Sequence, residues 1–354
     1  MHCQCVTEFG HPLEGQDRPG LEPTGREVVL KIVAAGVCHS DLHIRDGGYD
    51  MGHGNFLSFK DRGMALPHVP GHEPVGRVSA CGPDVTTDLD PEENYLVYPW
   101  QGCSKCDECA EGRENLCPAP RFLGMQADGA YATHMTVPDA RYLFPIGNLA
   151  PELAAPLACS GLTAFSALKK IEDTIARYPT VIIGAGGLGL MAINLIKAMG
   201  GLPPVVIDIS PSKREAALAA GAKAAIDAGA PDAMDQIIAA VGALPASVID
   251  FVGAEPTAKL GFDAIRKGGT LVIVGLFGGA TPWSLPTIPV KNARILGSYL
   301  GSLAEFTELM AMIKNDQITF LPTTCFELDE ANKALEELEA GNIIGRAVLC
   351  PSQD

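Results

Sequence analysis

Four cysteines, Cys103, Cys106, Cys109 and Cys117, fall within fifteen residues. Thiolates are strong zinc ligands, and a closed shell of four holds a structural ion rather than a reacting one. The close spacing lets a single lobe wrap the ion at little loop-closure cost. The Cys-x2-Cys-x2-Cys opening, and Pro118 after the fourth cysteine, also touch on iron–sulfur ligation. The x7 gap before Cys117 departs from that pattern, so structural zinc is expected. Three other segments carry metal-type donors: GVCHSDLH at 36–43, PGHEPVG at 70–76 and ACSGLT at 158–163. They lie far apart in the chain, and spacing alone cannot join them. A cysteine or histidine in isolation is more often a buried packing residue than a ligand.

A second kind of chemistry is written at 180–189, TVIIGAGGLG. Gly184, Gly186 and Gly189 form a G-x-G-x-x-G pattern, with Gly187 and Leu188 inside it. The pattern follows a predicted strand and opens a predicted helix. The first glycine permits a tight turn, the second a close approach to a pyrophosphate, and the third tight helix–strand packing. The helix N-terminus adds unpaired N–H groups and the positive end of its dipole. Asp208 ends the next predicted strand, nineteen residues after Gly189. A carboxylate there accepts from both ribose hydroxyls and repels a 2′-phosphate, so NAD is expected rather than NADP. Lys213 and Arg214 soften that preference, because a basic pair tolerates a phosphate. The plainer role for Asp208 is a helix cap.

Elements of two textures must position these groups. Residues 1 to about 156 carry short apolar runs, such as 28–33 and 96–98, broken by turn residues, as in a β-rich unit. From about 157 to 298, predicted strands at 180–184, 205–208, 224–226, 248–252 and 270–274 alternate with helices. Those helices are placed at 188–199, 212–220, 233–240 and 257–267. Such alternation makes a parallel sheet covered on both faces. The tail offers helices at 303–314 and 329–340 and a strand at 346–349, too little for its own core, so it is expected to return to the first unit.

A length of 354 residues suits two domains. The balance of 26 basic against 42 acidic residues, a net charge of -16, argues against nucleic acid and anionic membranes as partners. No stretch is apolar enough for a membrane span, and no secretory leader is read at Met1–Cys5. Eleven cysteines in a cytosolic protein would stay reduced.

The ligand segments, the cysteine lobe and the glycine loop, in this order, resemble the zinc-containing medium-chain alcohol dehydrogenases over essentially the whole chain. The resemblance implies an α/β protein. A GroES-like β-rich catalytic domain would span 1–156 with 299–354 returning to it, and a doubly wound parallel (Rossmann) coenzyme domain 157–298. It implies two zinc ions per chain, one structural and one catalytic. Cys38, His72 and Cys159 match the catalytic ligands, Glu73 the carboxylate beside the metal, and Asp41 the acid that orients the ligand histidine. Ser40 matches the hydroxyl that bonds the substrate oxygen, and His43 the outer end of a proton relay. His39 and Arg346 match contacts to the coenzyme phosphates, and backbone around Val274 and Leu276 would face the nicotinamide. Polyol and threonine dehydrogenases of the superfamily generally carry Glu at the third ligand position, so Cys159 favours the alcohol branch.

The implied reaction is reversible hydride transfer between a primary or secondary alcohol and NAD, giving an aldehyde or ketone. An open-position zinc is the Lewis acid for it, and an imidazole such as His43 passes protons in either direction. Two alternatives stay open: an enzyme oxidising aldehydes, thiol adducts or polyols, and a nucleotide-binding regulatory protein without catalysis. The intact Cys38, His72, Cys159, Ser40 and His43 weigh against the second. The resemblance also implies a cytoplasmic homo-oligomer, a tetramer in preference to a dimer.

The stretch 46–66 looks like an insertion beside the substrate cleft, with Phe56, Phe59 and Met64 as apolar anchors of a pocket, a subunit contact or a plain surface loop. Tyr49 and Trp100 are expected as pocket walls. His2, Cys3 and Cys5 read as an N-terminal strand rather than a metal site.

Overall fold

The computed structural model describes residues 1–315 and 318–352. Its six-stranded sheet is parallel throughout, in the order Ala224–Ile226, Val205–Ile207, Val181–Ile183, Ser247–Asp250, Thr270–Ile273, Arg294–Gly297. Strands buried on both faces must be apolar along their length, and Val181, Val205, Val248 and Leu271 are fully buried. Successive strands first run one way from Val181–Ile183 and then restart on its other side at Ser247–Asp250. That reversal opens a crevice at the carboxyl ends of the two strands, where ligands of such sheets bind. Helix Gly187–Ala198 starts at that crevice, directly after the glycine loop.

The second sheet has seven strands and is built around the ten-residue Val28–Val37. Its β-branched sequence suits a pleated, half-buried surface. It pairs antiparallel with Pro74–Cys81, His134–Val137 and Arg346–Leu349. Register shifts against Pro74–Cys81 bend it before it ends. The strand stops at Val37 and hands Cys38 to the N-cap of helix His39–Asp46. The tail thus returns to the first unit: Ala347 lies opposite Val37, and Leu349 opposite Ala35.

Some boundaries differ from the sequence expectation for local reasons. The helix expected at 257–267 runs Glu255–Ala264, because buried Asp250 accepts from Val252 N, Gly253 N and Thr257 Oγ1 and starts it early. Extended backbone at Ile265 then stops it. The helix expected from 329 opens as a 3-10 turn, Leu328–Glu330, and becomes α-helical at Ala331–Glu339. The 46–66 stretch is not a plain loop. It folds as a hairpin, Gly48–Asp50 on Phe56–Ser58, followed by the 3-10 turn Lys60–Arg62. His2–Cys5 is a strand, paired with Glu14–Asp17. Among the described residues no helix is long and apolar enough to cross a membrane.

Candidate active site

Cys38, His72 and Cys159 arrive from three places: the end of the central strand, the entry to Pro74–Cys81, and the N-cap of helix Ser160–Lys169. With Glu73 they offer one ligand atom each, all within 4.8 Å of one another. The Cys38 and Cys159 sulfurs are 3.9 Å apart. Two thiolates on one tetrahedral zinc, each about 2.3 Å from the metal, should stand roughly 3.8 Å apart. The His72 imidazole is fully buried, and its Nε2 has no hydrogen-bond partner. A buried nitrogen left unpaired is costly unless something absent from the coordinates fills the role. Hydrogen bonding from Cys159 holds the Cys38 thiol well below its ordinary pKa, which favours a thiolate. The donor set fits zinc.

Asp41 organises this set. Its carboxylate is almost wholly buried. Oδ1 accepts from Gly71 N at 3.2 Å and faces His72 Nδ1 at 3.2 Å, as an ion-pair contact rather than an aligned hydrogen bond. Oδ2 accepts from Cys38 N at 2.9 Å and from Tyr131 Oη at 3.1 Å. One side chain thus reaches both ligand-bearing segments. Trp100, expected in the pocket wall, instead lies behind the ligands: its ring is 5.2 Å from His72, and Nε1 donates to Ala158 O.

In the lobe, Cys103, Cys106, Cys109 and Cys117 also bring their sulfurs within 4.8 Å of one another. Cys106 lies 3.5 Å from Cys109 and 3.7 Å from Cys117, again the spacing of tetrahedral thiolates. A side chain at Gly102 would run into the Cys109 sulfur. Buried Glu114 anchors the lobe, accepting from Gly102 N at 3.1 Å and Tyr142 Oη at 2.6 Å and pairing with Arg141 at 3.0 Å. Nothing in its sequence surroundings marks Glu114 for this role.

Helix His39–Asp46 aims three further groups. Ser40 Oγ is 3.8 Å from Cys38 Sγ. One turn on, the His43 ring meets Tyr49 edge-on at 4.8 Å, and burial holds His43 below its ordinary pKa. His39 stands at the cleft beside Arg346 and Lys213. Desolvation by the cleft walls, then those two charges, lower its pKa despite the opposing effect of Cys38.

The crevice fits a dinucleotide. Gly184 has φ +96, which few side chains adopt. A Cβ on Gly189 would overlap the Gly184 carbonyl, and one on Gly187 would stand 2.7 Å from Arg346 Cδ. Gly186 has open space where its side chain would be. Asp208 follows Val205–Ile207 at the mouth of the crevice. It accepts from Ala185 N of the glycine loop at 2.8 Å and from Ser210 N, just ahead of the next helix, at 2.8 Å. Arg214 is committed elsewhere, donating to the carbonyls of Asp208 and Ile209 and lying 3.3 Å from Asp227. Arg346 is deeper than a surface phosphate contact: Nη2 donates to Val37 O and pairs with Glu73 at 2.7 and 2.5 Å. Val274 is buried with its N–H on Asp250 O, while Gly275 and Leu276 face open space.

That open space is a cavity of about 550 Å³. Its walls come from the hairpin (Tyr49, Leu57, Phe59), the cysteine lobe (Phe122, Met125) and the coenzyme side (Leu276). Of the three expected anchors only Phe59 lines it. Phe56 is exposed and Met64 sits in the core.

Residues 24–148 match the family model for the alcohol dehydrogenase GroES-like domain, and 187–315 that for the zinc-binding dehydrogenase. The NAD-dependent alcohol dehydrogenase of Sulfurisphaera tokodaii is 36% identical over 99% of this chain and 100% of its own length. The chain belongs to the zinc-dependent medium-chain alcohol dehydrogenase family. The crystal structure of the alcohol dehydrogenase from Aeropyrum pernix superposes with a TM-score of 0.88 at 29% identity, covering 99% of this chain and 100% of that one. A D-arabinose 1-dehydrogenase (NADP(+)) from Saccharolobus solfataricus is 31% identical over 98% of this chain and 96% of its own length.

Zinc content separates the two metal sites. Cys109→Ser should lose the lobe ion and keep the other, and Cys159→Ala the reverse, each measured as zinc per chain by atomic absorption. Two ions retained in either variant would refute the assignment. Tyr131→Phe leaves buried Asp41 one donor short, a loss of about 1–3 kcal/mol. It should lower Tm and speed zinc release to a chelator; unchanged release would show that Tyr131 does not support the ligands.

Proposed function

We propose that the chain catalyses reversible hydride transfer between a primary or secondary alcohol and NAD. The observation that carries this reading is the convergence of Cys38, His72 and Cys159 with Ser40, one helix turn from His43, whose ring packs on Tyr49 of the cavity wall. Zinc bound by the three ligands would supply a Lewis acid, and the nicotinamide would accept the hydride.

The chain's own groups handle orientation and the proton. Asp41 fixes the His72 ring, as a second-shell carboxylate should. Ser40 takes the alcohol proton next to the ligands, and His43 delivers it to solvent from the outer turn of the same helix. A lowered His43 pKa keeps the ring neutral, and so able to accept, at neutral pH. Arg346 and Lys213 bring positive charge to where the coenzyme phosphates would lie, with the neutral His39 ring beside them, and the apolar cavity walls exclude water. Asp208 at the crevice mouth, with Arg214 tied to its own backbone, favours NAD over NADP. Cys159 as the third ligand supports an alcohol rather than a polyol.

Residues 1–156 with 299–354 are read as the catalytic domain and 157–298 as the coenzyme domain. The pairing of Arg346–Leu349 with Val28–Val37, and the confinement of the parallel strands to 181–297, support that division. A cytoplasmic homo-oligomer completes the reading. Exposed Phe277, Leu285 and Val290, close to the edge strand Arg294–Gly297, support self-association. A tetramer in place of a dimer rests on the family resemblance alone.

The reading is tested by NAD reduction across primary, secondary, cyclic and aromatic alcohols, with bound zinc measured in parallel. No turnover by the two-zinc protein would overturn it. Asp208→Ala should narrow the ratio of NAD to NADP efficiency, and a wild type that already prefers NADP would reverse the coenzyme assignment. His43→Ala should slow alcohol oxidation most near neutral pH, on the order of 100-fold, with the deficit shrinking as hydroxide rises. A parallel pH–rate profile for variant and wild type would remove His43 from the relay.

A further inference from the structure

The cavity is apolar on most sides but not on one. Arg62, on the 3-10 turn that follows the hairpin, lines it, and its guanidinium makes no hydrogen bond or ion pair among the described residues. The hydroxyls of Tyr49 and Tyr299 line the same cavity and likewise have no hydrogen-bond partner there. Burial pushes both phenols above their ordinary pKa, and the Arg62 charge pulls each back down, so the guanidinium lies within electrostatic reach of both. Ring contacts tie both tyrosines to the site: Tyr49 packs on His43 at 4.8 Å, and Tyr299 on Phe122 at 6.5 Å, whose ring meets Trp100 behind His72. Asp50 is the carboxylate in this wall. Its Oδ1 is occupied by Gly52 N at 2.8 Å, and it forms no ion pair with Arg62.

The guanidinium and two phenol hydroxyls face two acceptor side chains that bond none of them, Asp50 and Asn115 with its unpartnered Oδ1, so on balance the wall suits a ligand rich in acceptors. The planar fork of arginine matches a carboxylate in particular. An uncharged alcohol would leave that side of the cavity unused. We propose that the substrate is an alcohol whose far end carries a carboxylate, held by Arg62 at the cavity mouth while Tyr49 and Tyr299 flank its path to the metal ligands. This rests on the alcohol dehydrogenase reading and adds the substrate class. Because Arg62 is exposed, solvent screens the contact, so discrimination of about tenfold is expected rather than the larger factors of a buried pair.

The test is a matched pair, 4-(hydroxymethyl)benzoate and benzyl alcohol, assayed with NAD on the two-zinc protein. Wild type should favour the acid about tenfold in kcat/KM, through a lower KM. Arg62→Ala should abolish the ratio, and Arg62→Lys should keep part of it. Arg62→Gln, which preserves polarity and volume, guards against a folding defect and should also lose the ratio. Equal efficiency on the two alcohols in wild type overturns the inference, as does a ratio that survives Arg62→Ala. A preference that vanishes at high salt in kcat/KM while KM for the acid stays equal to that for benzyl alcohol marks long-range steering and overturns it too. Turnover of neither alcohol, nor of any other in the panel, sinks the dehydrogenase reading and this inference with it.

Discussion

The ion pair between Arg346 and Glu73 sits where the two sheets meet, and the site is assembled around it. Burial drives the Glu73 carboxyl up, to about 7, with Arg346 pulling the other way. The pair fastens the last strand to the residue next to His72, and Nη2 of the same arginine holds the carbonyl of Val37, one residue before Cys38. The arginine stem in turn lies under Gly187 of the glycine loop. Removing one partner of a buried pair costs about 3–5 kcal/mol, because the other charge is left stranded. Here that cost would fall on metal ligands and coenzyme loop together. The pair also explains Gly36 in the GVC segment: a side chain there would collide with the Glu73 carboxylate.

A second buried carboxylate, Asp41, does for the ligands what Glu73 does for the domain junction. It lies three residues after Cys38, so the first turn of a helix folds its carboxylate back onto the Cys38 amide. The remaining lone pairs then reach Gly71 and His72 across the sheet. Gly71 has φ +98, and a side chain there would press on Tyr131, the residue that donates the last bond to Asp41. The PGHE segment and Tyr131 are therefore matched through a shared carboxylate, although they are far apart in the chain.

Much of this was legible before any coordinates. Motifs whose parts are contiguous carry their own geometry: the glycine loop joins a strand to a helix and the cysteine lobe gathers its four sulfurs, whereas helix His39–Asp46 was not read. Alternating apolar strands and alanine-rich helices revealed five of the six parallel strands to within a few residues, and the edge strand Arg294–Gly297 was missed. What could not be read are contacts made by unremarkable residues across long separations. Tyr131 on Asp41, Glu114 inside the lobe and Trp100 behind His72 have no local signal, because their roles are set by tertiary packing alone. The hairpin within 46–66 was not legible. Its turn, Met51–Asn55, is longer than the two-residue turns that announce themselves in sequence. Sorting Phe59 inward and Phe56 outward needed the strand register.

The same contrast separates residues bound to one another from residues left without a protein partner. The ligands, the carboxylates behind them and the glycine loop are constrained by one another, since each change strands a buried charge or opens a clash. The cavity walls answer to no such network. They are drawn from the hairpin, the lobe and the coenzyme side, and among their polar members the Arg62 guanidinium and the Tyr49 and Tyr299 hydroxyls bond no protein group among the described residues. A polar group left without a protein partner costs stability or contributes nothing to it. Groups of that kind gathered on one wall of a cavity therefore belong to the ligand's account of the structure, and the substrate should be sought in the chemistry they leave unanswered.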